Sequence, residues 1–324
     1  MSNALNPILA LTARYRAVDR KRSLTGPDYV WPFGNFRHMF AESRALSHKW
    51  RKEYGDIYRI WTGFYSEVWG LGYWMLSREK YQSAKAYLAR WEAFLMRTSQ
   101  ARKDQTDLPI TRLWRDVEVG NLSKDELLQT LTESTVFNLE PTSHALIMTI
   151  FLISDNQAFQ DNLVAELDAN RSAITRYLGR KDTLLHYALL EAVRLQPVLP
   201  FTLPEAASVD KGLGGYLIPK GTSVIADSYG INVRNPFWGP DATSYRPSRF
   251  TTLTPAEIHR NLSMFWFGAR KCLGQFFADK QVRAVVFNLF DRYKVTCSDY
   301  SGIAPGINVD KTEYVDRFGL EFLL

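Results

Sequence analysis

The sequence predicts a mainly α-helical fold with small β-sheets. Three observations carry that expectation. A capping box, Ser123-Lys-Asp-Glu126, opens a run whose apolar residues keep helical spacing to about Ile153. A second apolar run, Gln275 to Leu289, starts directly after a glycine-flanked turn that holds Cys272. Between the two runs the apolar stretches become brief and are bounded by Gly and Pro, at 202–205 and 214–225, which reads as short strands joined by a turn.

The composition bounds the rest. A chain of 324 residues suffices for one large domain or two ordinary ones, and no repeat or low-complexity tract divides it. Apolar residues at 46% and aromatics at 14% are the mark of a filled interior rather than disorder. The net charge of +6 includes no long block of one sign, so the surface suits an acidic redox partner or a headgroup layer. No nucleic-acid partner is expected, because neither a zinc-ligand spacing nor a basic helix is present. Two cysteines, Cys272 and Cys297, make no disulfide framework, and the default is a reducing compartment. No apolar run is long enough for a transmembrane helix, and the first thirty residues are cut by Arg14, Arg16, Asp19, Arg20, Lys21 and Arg22. Residues 1–25 are therefore read as an N-terminal segment, with a remnant amphipathic membrane anchor as the alternative.

Taken in order, residues 26–36 form an entry segment punctuated by Pro and Gly. A helix is expected from about His38 to Tyr54, closed by Gly55, and the alternation from Asp56 to Gly63 reads as a strand. Another helix is expected over about Met75 to Arg97. The 123–153 run contains Pro141, so it either kinks at 137–141 or ends there and restarts. Unbroken, it would span roughly 45 Å. Asp182 or Thr183 caps a helix reaching Leu195 and stopped by Pro197. Glu191 and Arg194 stand three apart on its face, and their apolar neighbours Leu189, Leu190, Val193 and Leu195 argue that the pair is buried.

The stretch Phe265-Trp-Phe-Gly-Ala-Arg-Lys-Cys-Leu-Gly274 carries the chemistry. A thiolate at Cys272 would face turn N–H groups and the positive end of the following helix, both of which favour the ionised, metal-binding form. Glycine at 268 and 274 lets backbone pass close to a flat ligand, and Arg270 offers a cation to an anionic edge. The competing reading is a buried structural thiol. Histidines 38, 48, 144, 186 and 259 lack metal-ligand spacing, and no G-x-S-x-G occurs.

The same stretch meets the pattern F-x-x-G-x-R-x-C-x-G at Phe265, Gly268, Arg270, Cys272 and Gly274, and so resembles the Cys loop of the cytochrome P450 family. Glu191 and Arg194 resemble that family's E-x-x-R, and Tyr245-Arg-Pro-Ser-Arg-Phe250 resembles the segment supplying its third member, Arg249. The resemblance implies a P450-like fold, one domain over 26–324, with Cys272 as axial ligand to the iron of haem b. It further implies Arg270 as a propionate partner, with Phe265 and Gly268 in the cofactor-binding loop, and Glu191, Arg194 and Arg249 in a structural lock behind it. Glu140 aligns with the family's distal acid and Pro141 with its Thr, which leaves Glu140 and Thr142 as candidate catalytic residues. Glu205 stands where many members have a propionate-binding Arg.

The resemblance covers residues 26–68 and 123–300, and the fold is expected to be incomplete between about 68 and 75. An internal deletion near 68, in the gene or its exon structure, is one explanation; a compact relative is the other. The implied function is a haem-thiolate monooxygenase that oxidises an apolar small molecule with O2. Electrons would come from NADPH-cytochrome P450 reductase or a similar donor. The lead-in implies a eukaryotic, fungal-type member serving secondary metabolism. It would lie in the cytoplasm or on the cytoplasmic face of the endoplasmic reticulum, with a peripheral membrane contact. The alternatives are a truncated paralogue impaired in catalysis, or a haem-thiolate enzyme that does not activate O2.

Overall fold

The computed structural model describes residues 25–27, 43–58, 60, 78–103, 105, 108–202, 204–268, 271–297 and 320–323. Its helices are α1 (Ser43–Tyr54), α2 (Arg78–Gln100), α3 (Pro109–Glu118), α4 (Lys124–Asp155), α5 (Gln157–Asn170), α6 (Ile174–Gly179), α7 (Leu184–Leu195), α8 (Ser228–Asn232), α9 (Pro255–Asn261) and α10 (Gln275–Phe290). The strands are β1 (Glu205–Ala206), β2 (Lys211–Leu213), β3 (Tyr216–Ile218), β4 (Ser223–Val224), β5 (Lys294–Cys297) and β6 (Leu320–Leu323). They pair antiparallel as β1 with β4, β2 with β3 and β5 with β6. The architecture is thus mainly helical with small sheets, as the periodicity requires.

The chain divides into two compact units, residues 1–63 with 144–324, and residues 64–143. In the smaller unit Leu95 of α2, Trp114 of α3 and Leu127 of α4 are buried, and Trp91 Nε1 donates to Thr132 Oγ1 at 3.3 Å. The capping box forms as expected. Ser123 N–H donates to Glu126 Oε2 at 2.8 Å, and Glu126 N–H donates back to Ser123 Oγ at 3.2 Å. Of the two outcomes open at Pro141, the structure has a continuous helical run from Lys124 to Asp155 with the proline inside it.

In the larger unit one core joins several elements: Ile150 and Ile153 of α4, Leu163 and Leu167 of α5, Leu185, Leu189 and Val193 of α7, and Val282, Val286 and Phe290 of α10. Each such side chain removed from water contributes about 1.5–3 kcal/mol before its entropy cost. This core presses α7 against α10, which places the helix carrying Glu191 beside the helix that follows Cys272. Helix α7 starts on Thr183, whose side chain accepts the His186 N–H at 3.2 Å, so Thr183 rather than Asp182 is the cap. A smaller cluster seats Trp50 of α1 on Phe201.

Beyond the core, β5 is held on one side by β6 and on the other by a side chain. Gln160 Nε2 donates to Val295 O at 2.8 Å, and its Oε1 accepts the Val295 N–H at 3.0 Å. Two expectations need amendment. The alternation at 56–63 lies partly outside the described residues, and among those described, Asp56 and Ile57 form a bend after Gly55 (φ +90°) rather than a strand. Helices α3, α5, α6, α8 and α9 were not delimited by the sequence pattern. The entry segment at 28–36, and the region around 68–75 where the fold is expected to be incomplete, lie outside the described residues.

Candidate functional site

The Cys272 loop is a closed turn. Cys272 N–H donates to Phe265 O at 2.8 Å, which draws these two described residues together ahead of α10. Two of its residues take left-handed backbone, Trp266 at φ +72° and Gly268 at φ +70°. Glycine is needed at 268 for the backbone alone, because a Cβ there would meet nothing within 4 Å. The ring of Phe267 is met edge-on by His259 of α9, with centroids 5.5 Å apart.

The thiol of Cys272 is free and exposed, so the buried structural thiol is set aside for this residue. It lies two residues ahead of Gly274, the N-cap of α10, on the side where the helix carries partial positive charge. Leu273 is 99% exposed, Phe276 71% and Phe277 72%, so the thiol sits beside apolar surface with no cover among the described residues. Those residues also form no group of three or more His, Cys, Asp or Glu able to hold a metal. A single soft sulfur beside an open apolar face and a clear glycine suits a metal that brings its own flat macrocycle, and on this ground the residues present fit haem. Arg270 lies outside the described residues.

Behind the loop, Glu191 and Arg194 are fully buried and meet in a two-point contact. Arg194 Nε donates to Oε2 at 2.7 Å and Nη2 to Oε1 at 2.9 Å. Arg249 Nε donates to the same Oε1 at 2.9 Å, as does the Arg246 N–H at 2.9 Å. One carboxylate thus sits between two guanidiniums. The remaining N–H groups reach carbonyls: Arg194 Nη1 to Asn232 O at 3.1 Å and Ala242 O at 2.6 Å, and Arg249 Nη2 to Asp241 O at 3.1 Å and Ser244 O at 3.2 Å. Arg194 also lies over the Trp238 ring, 5.2 Å from its centroid. Burial, followed by the charge of Glu191, pushes the Tyr245 phenol well above its ordinary range and keeps it neutral.

The residue that carries this network to the Cys loop was not found from the sequence. Asn232 closes α8 and is fully buried. Its Oδ1 accepts the Ser263 N–H at 2.7 Å, and its Nδ2 donates to Ser263 O at 3.2 Å. A path of hydrogen bonds therefore runs from Glu191 through Arg194 and Asn232 to Ser263, two residues before Phe265. An asparagine near the end of a five-residue helix offers no sequence signal for this role.

Glu140 and Thr142 both fall on α4, either side of Pro141, in the unit 64–143. Thr142 is half-buried. Cys272 belongs to the other unit. Glu205 heads β1 and is half-exposed.

Residues 78–305 match the sequence profile described as Cytochrome P450. The chain is 39% identical over 261 residues to "Cytochrome P450 monooxygenase hasH" of Aspergillus fumigatus, covering 77% of this chain and 48% of that protein. It is 36% identical to "Cytochrome P450 monooxygenase gliC" of the same species, over 69% of this chain and 45% of the relative. To "Cytochrome P450 monooxygenase asaD" of Aspergillus flavus it is 32% identical, over 70% of this chain and 45% of the relative. The chain spans about half the length of the curated relatives it matches. With the profile match running from α2 past the Cys272 loop, and with the E-x-x-R pairing in place behind that loop, the chain belongs to the cytochrome P450 family.

Proposed function

We propose that this chain is a haem-thiolate monooxygenase that oxidises an apolar small molecule, with Cys272 as the axial ligand of haem b. The observation that carries the proposal is the exposed thiol of Cys272, in a loop closed onto Phe265 O and tied through Ser263 and Asn232 to the buried Glu191–Arg194 pair. Bound haem would supply dioxygen activation, favoured by a thiolate ligand. The chain's own residues do the rest. The turn presents the sulfur, Gly268 keeps the approach clear, Arg270 would neutralise a propionate, and Leu273, Phe276 and Phe277 offer apolar surface next to Cys272 in the chain. Glu191, Arg194 and Arg249 lock the segment behind it.

The finer assignments rest on the family and on the chain's character. Electrons come from NADPH-cytochrome P450 reductase or a similar donor, drawn to a chain of net charge +6. The names of the fungal relatives support a fungal-type member, and we assign the reaction to secondary metabolism. We place the chain in the cytoplasm or on the cytoplasmic face of the endoplasmic reticulum, with 1–25 as a peripheral anchor. Among the described residues no helix is long and apolar enough to cross a membrane. Residues 26–324 are proposed as one P450-like domain with an internal deletion near residue 68, and Glu140 and Thr142 as its distal proton-delivery pair.

A second reading is favoured by Pro141, which takes the place of the family's distal Thr inside α4. In that reading the chain is a paralogue impaired in catalysis, or one that holds haem without activating O2. Expression with haem, followed by reduction under carbon monoxide, tests the central claim. A thiolate-type Soret band that disappears in Cys272→Ser is expected, and colourless protein overturns haem binding. Substrate-dependent NADPH consumption with added reductase separates the first reading from the second.

A further inference from the structure

A second buried charge cluster lies between the two helices that frame the site, and the E-x-x-R network does not include it. Asp279 is on α10, one turn past the helix start at Gln275, and is buried. Its Oδ2 accepts from Lys181 Nζ at 2.8 Å and from Arg283 Nη2 at 2.5 Å. Its Oδ1 faces Nδ1 of His186, on the first turn of α7, at 3.4 Å, longer than a formed hydrogen bond. That Nδ1 is buried without a hydrogen-bond partner. Arg283 is fully buried and donates its Nη1 to Arg180 O at 2.9 Å. One carboxylate therefore gathers the segment at 180–181, the start of α7 and its own helix.

The charges do not cancel. Asp279 stands against Arg283 and Lys181, so a proton on His186 would add a third positive charge in a buried place. Burial lowers the proton affinity of His186 first, and the charges of Lys181 and Arg283 lower it further, against the pull of Asp279. Burial alone would raise Asp279; the approach of His186 and Lys181 and the charge of Arg283 overcome it and hold the carboxyl well below its usual range. In neutral His186 an Nδ1–H would face Asp279 without closing a hydrogen bond at this separation, and in that form the cluster carries no third buried positive charge.

We propose that Asp279 is a positioning residue for the Cys272 helix, and that His186 makes the docking of this helix on α7 depend on protonation. The proposal rests on the assignment of Cys272 as haem ligand only for its consequence at the iron. The docking itself is a property of the chain without haem.

The test is hydrogen–deuterium exchange of peptides spanning 275–290, on the full chain, as a function of pH. In the native chain, exchange at the start of α10, taken relative to the intrinsic amide rate at each pH, is expected to rise as pH falls below the ordinary imidazole value of 6.5. His186→Gln should abolish that rise. Lys181→Met removes a solvent-accessible cation that lowers the proton affinity of His186 and should shrink the rise, a change that a purely structural contact would not produce. Asp279→Asn should speed exchange there by about tenfold or more at neutral pH, with Asp279→Glu restoring part of it. In haem-loaded chain the fraction of thiolate-type Soret band should follow the same pH profile. Unchanged pH dependence in both His186→Gln and Lys181→Met overturns the proposal, even if Asp279→Asn fails to fold. Failure to bind haem would overturn the proposed function and leave the exchange test intact.

Discussion

Asn232 holds the backbone of Ser263 from both sides, its Oδ1 accepting the N–H at 2.7 Å and its Nδ2 donating to the carbonyl at 3.2 Å. This amide stands between the Glu191–Arg194 pair and the turn that ends at Cys272. Replacing it by Leu strands a buried donor and acceptor at Ser263, at about 1–3 kcal/mol for each group. Asn232→Leu should therefore lower the urea midpoint and speed amide exchange at residues 261–265. Asn232→Asp keeps the acceptor and loses the donor, and it should fall between the two.

Glu191 is the only carboxylate in contact with both Arg194 and Arg249 among the described residues. Glu191→Gln would leave two buried guanidiniums facing a neutral amide. A loss of about 3–5 kcal/mol is expected, read from denaturant unfolding, because removing one partner of a buried ion pair leaves the other's desolvation uncompensated. Arg249→Lys should cost less, since it keeps the charge while giving up the side-chain contacts to Trp238 O and Ser244 O.

Gly268 separates a backbone effect from a packing effect. Its φ of +70° is costly for other residues, while nothing lies within 4 Å of an added Cβ. Gly268→Ala should therefore lower stability by about 1 kcal/mol through conformation alone. In the presence of haem the same substitution should cost more in cofactor retention, measured as the rate of haem transfer to apomyoglobin.

At the alkaline end Tyr58 is a sensitive group alongside Tyr245. Burial first, then the charge of Asp227, pushes its phenol up to about 12, against the opposing charge of Arg234. The unfolded chain ionises this tyrosine near pH 10, so its contribution is full below that value and is lost as pH rises toward 12. Tyr58→Phe should flatten the fall in thermal midpoint over that range. Ultraviolet titration of the native chain should show one late-ionising tyrosine that the variant lacks.

The parts legible in sequence were those whose meaning is local. Glu191 and Arg194 share a helix face by spacing, Ser123 and Glu126 cap by spacing, and Cys272 is marked by the glycines around it. Arg249 was reached only through the resemblance of its segment. Asn232 and Ser263 lie 31 residues apart, and Lys181 and Asp279 lie 98 apart, so neither contact leaves a periodic trace. After Gly55 the described residues Asp56 and Ile57 form a bend, and the rest of the expected strand lies largely outside the described residues. In the described segment, Tyr58 and Ile60 instead pack on the Trp50–Phe201 cluster.

The amide of Gln160 does more than satisfy Val295. A bare strand margin is a template on which foreign chains can polymerise, and here a helix residue occupies the place such a chain would take. Loss of that side chain would leave the Val295 N–H bare, with only Gln157 Nε2 still on the carbonyl at 3.1 Å, and would favour ordered aggregation while leaving the thiol loop untouched, so solubility and the geometry of that loop can fail separately.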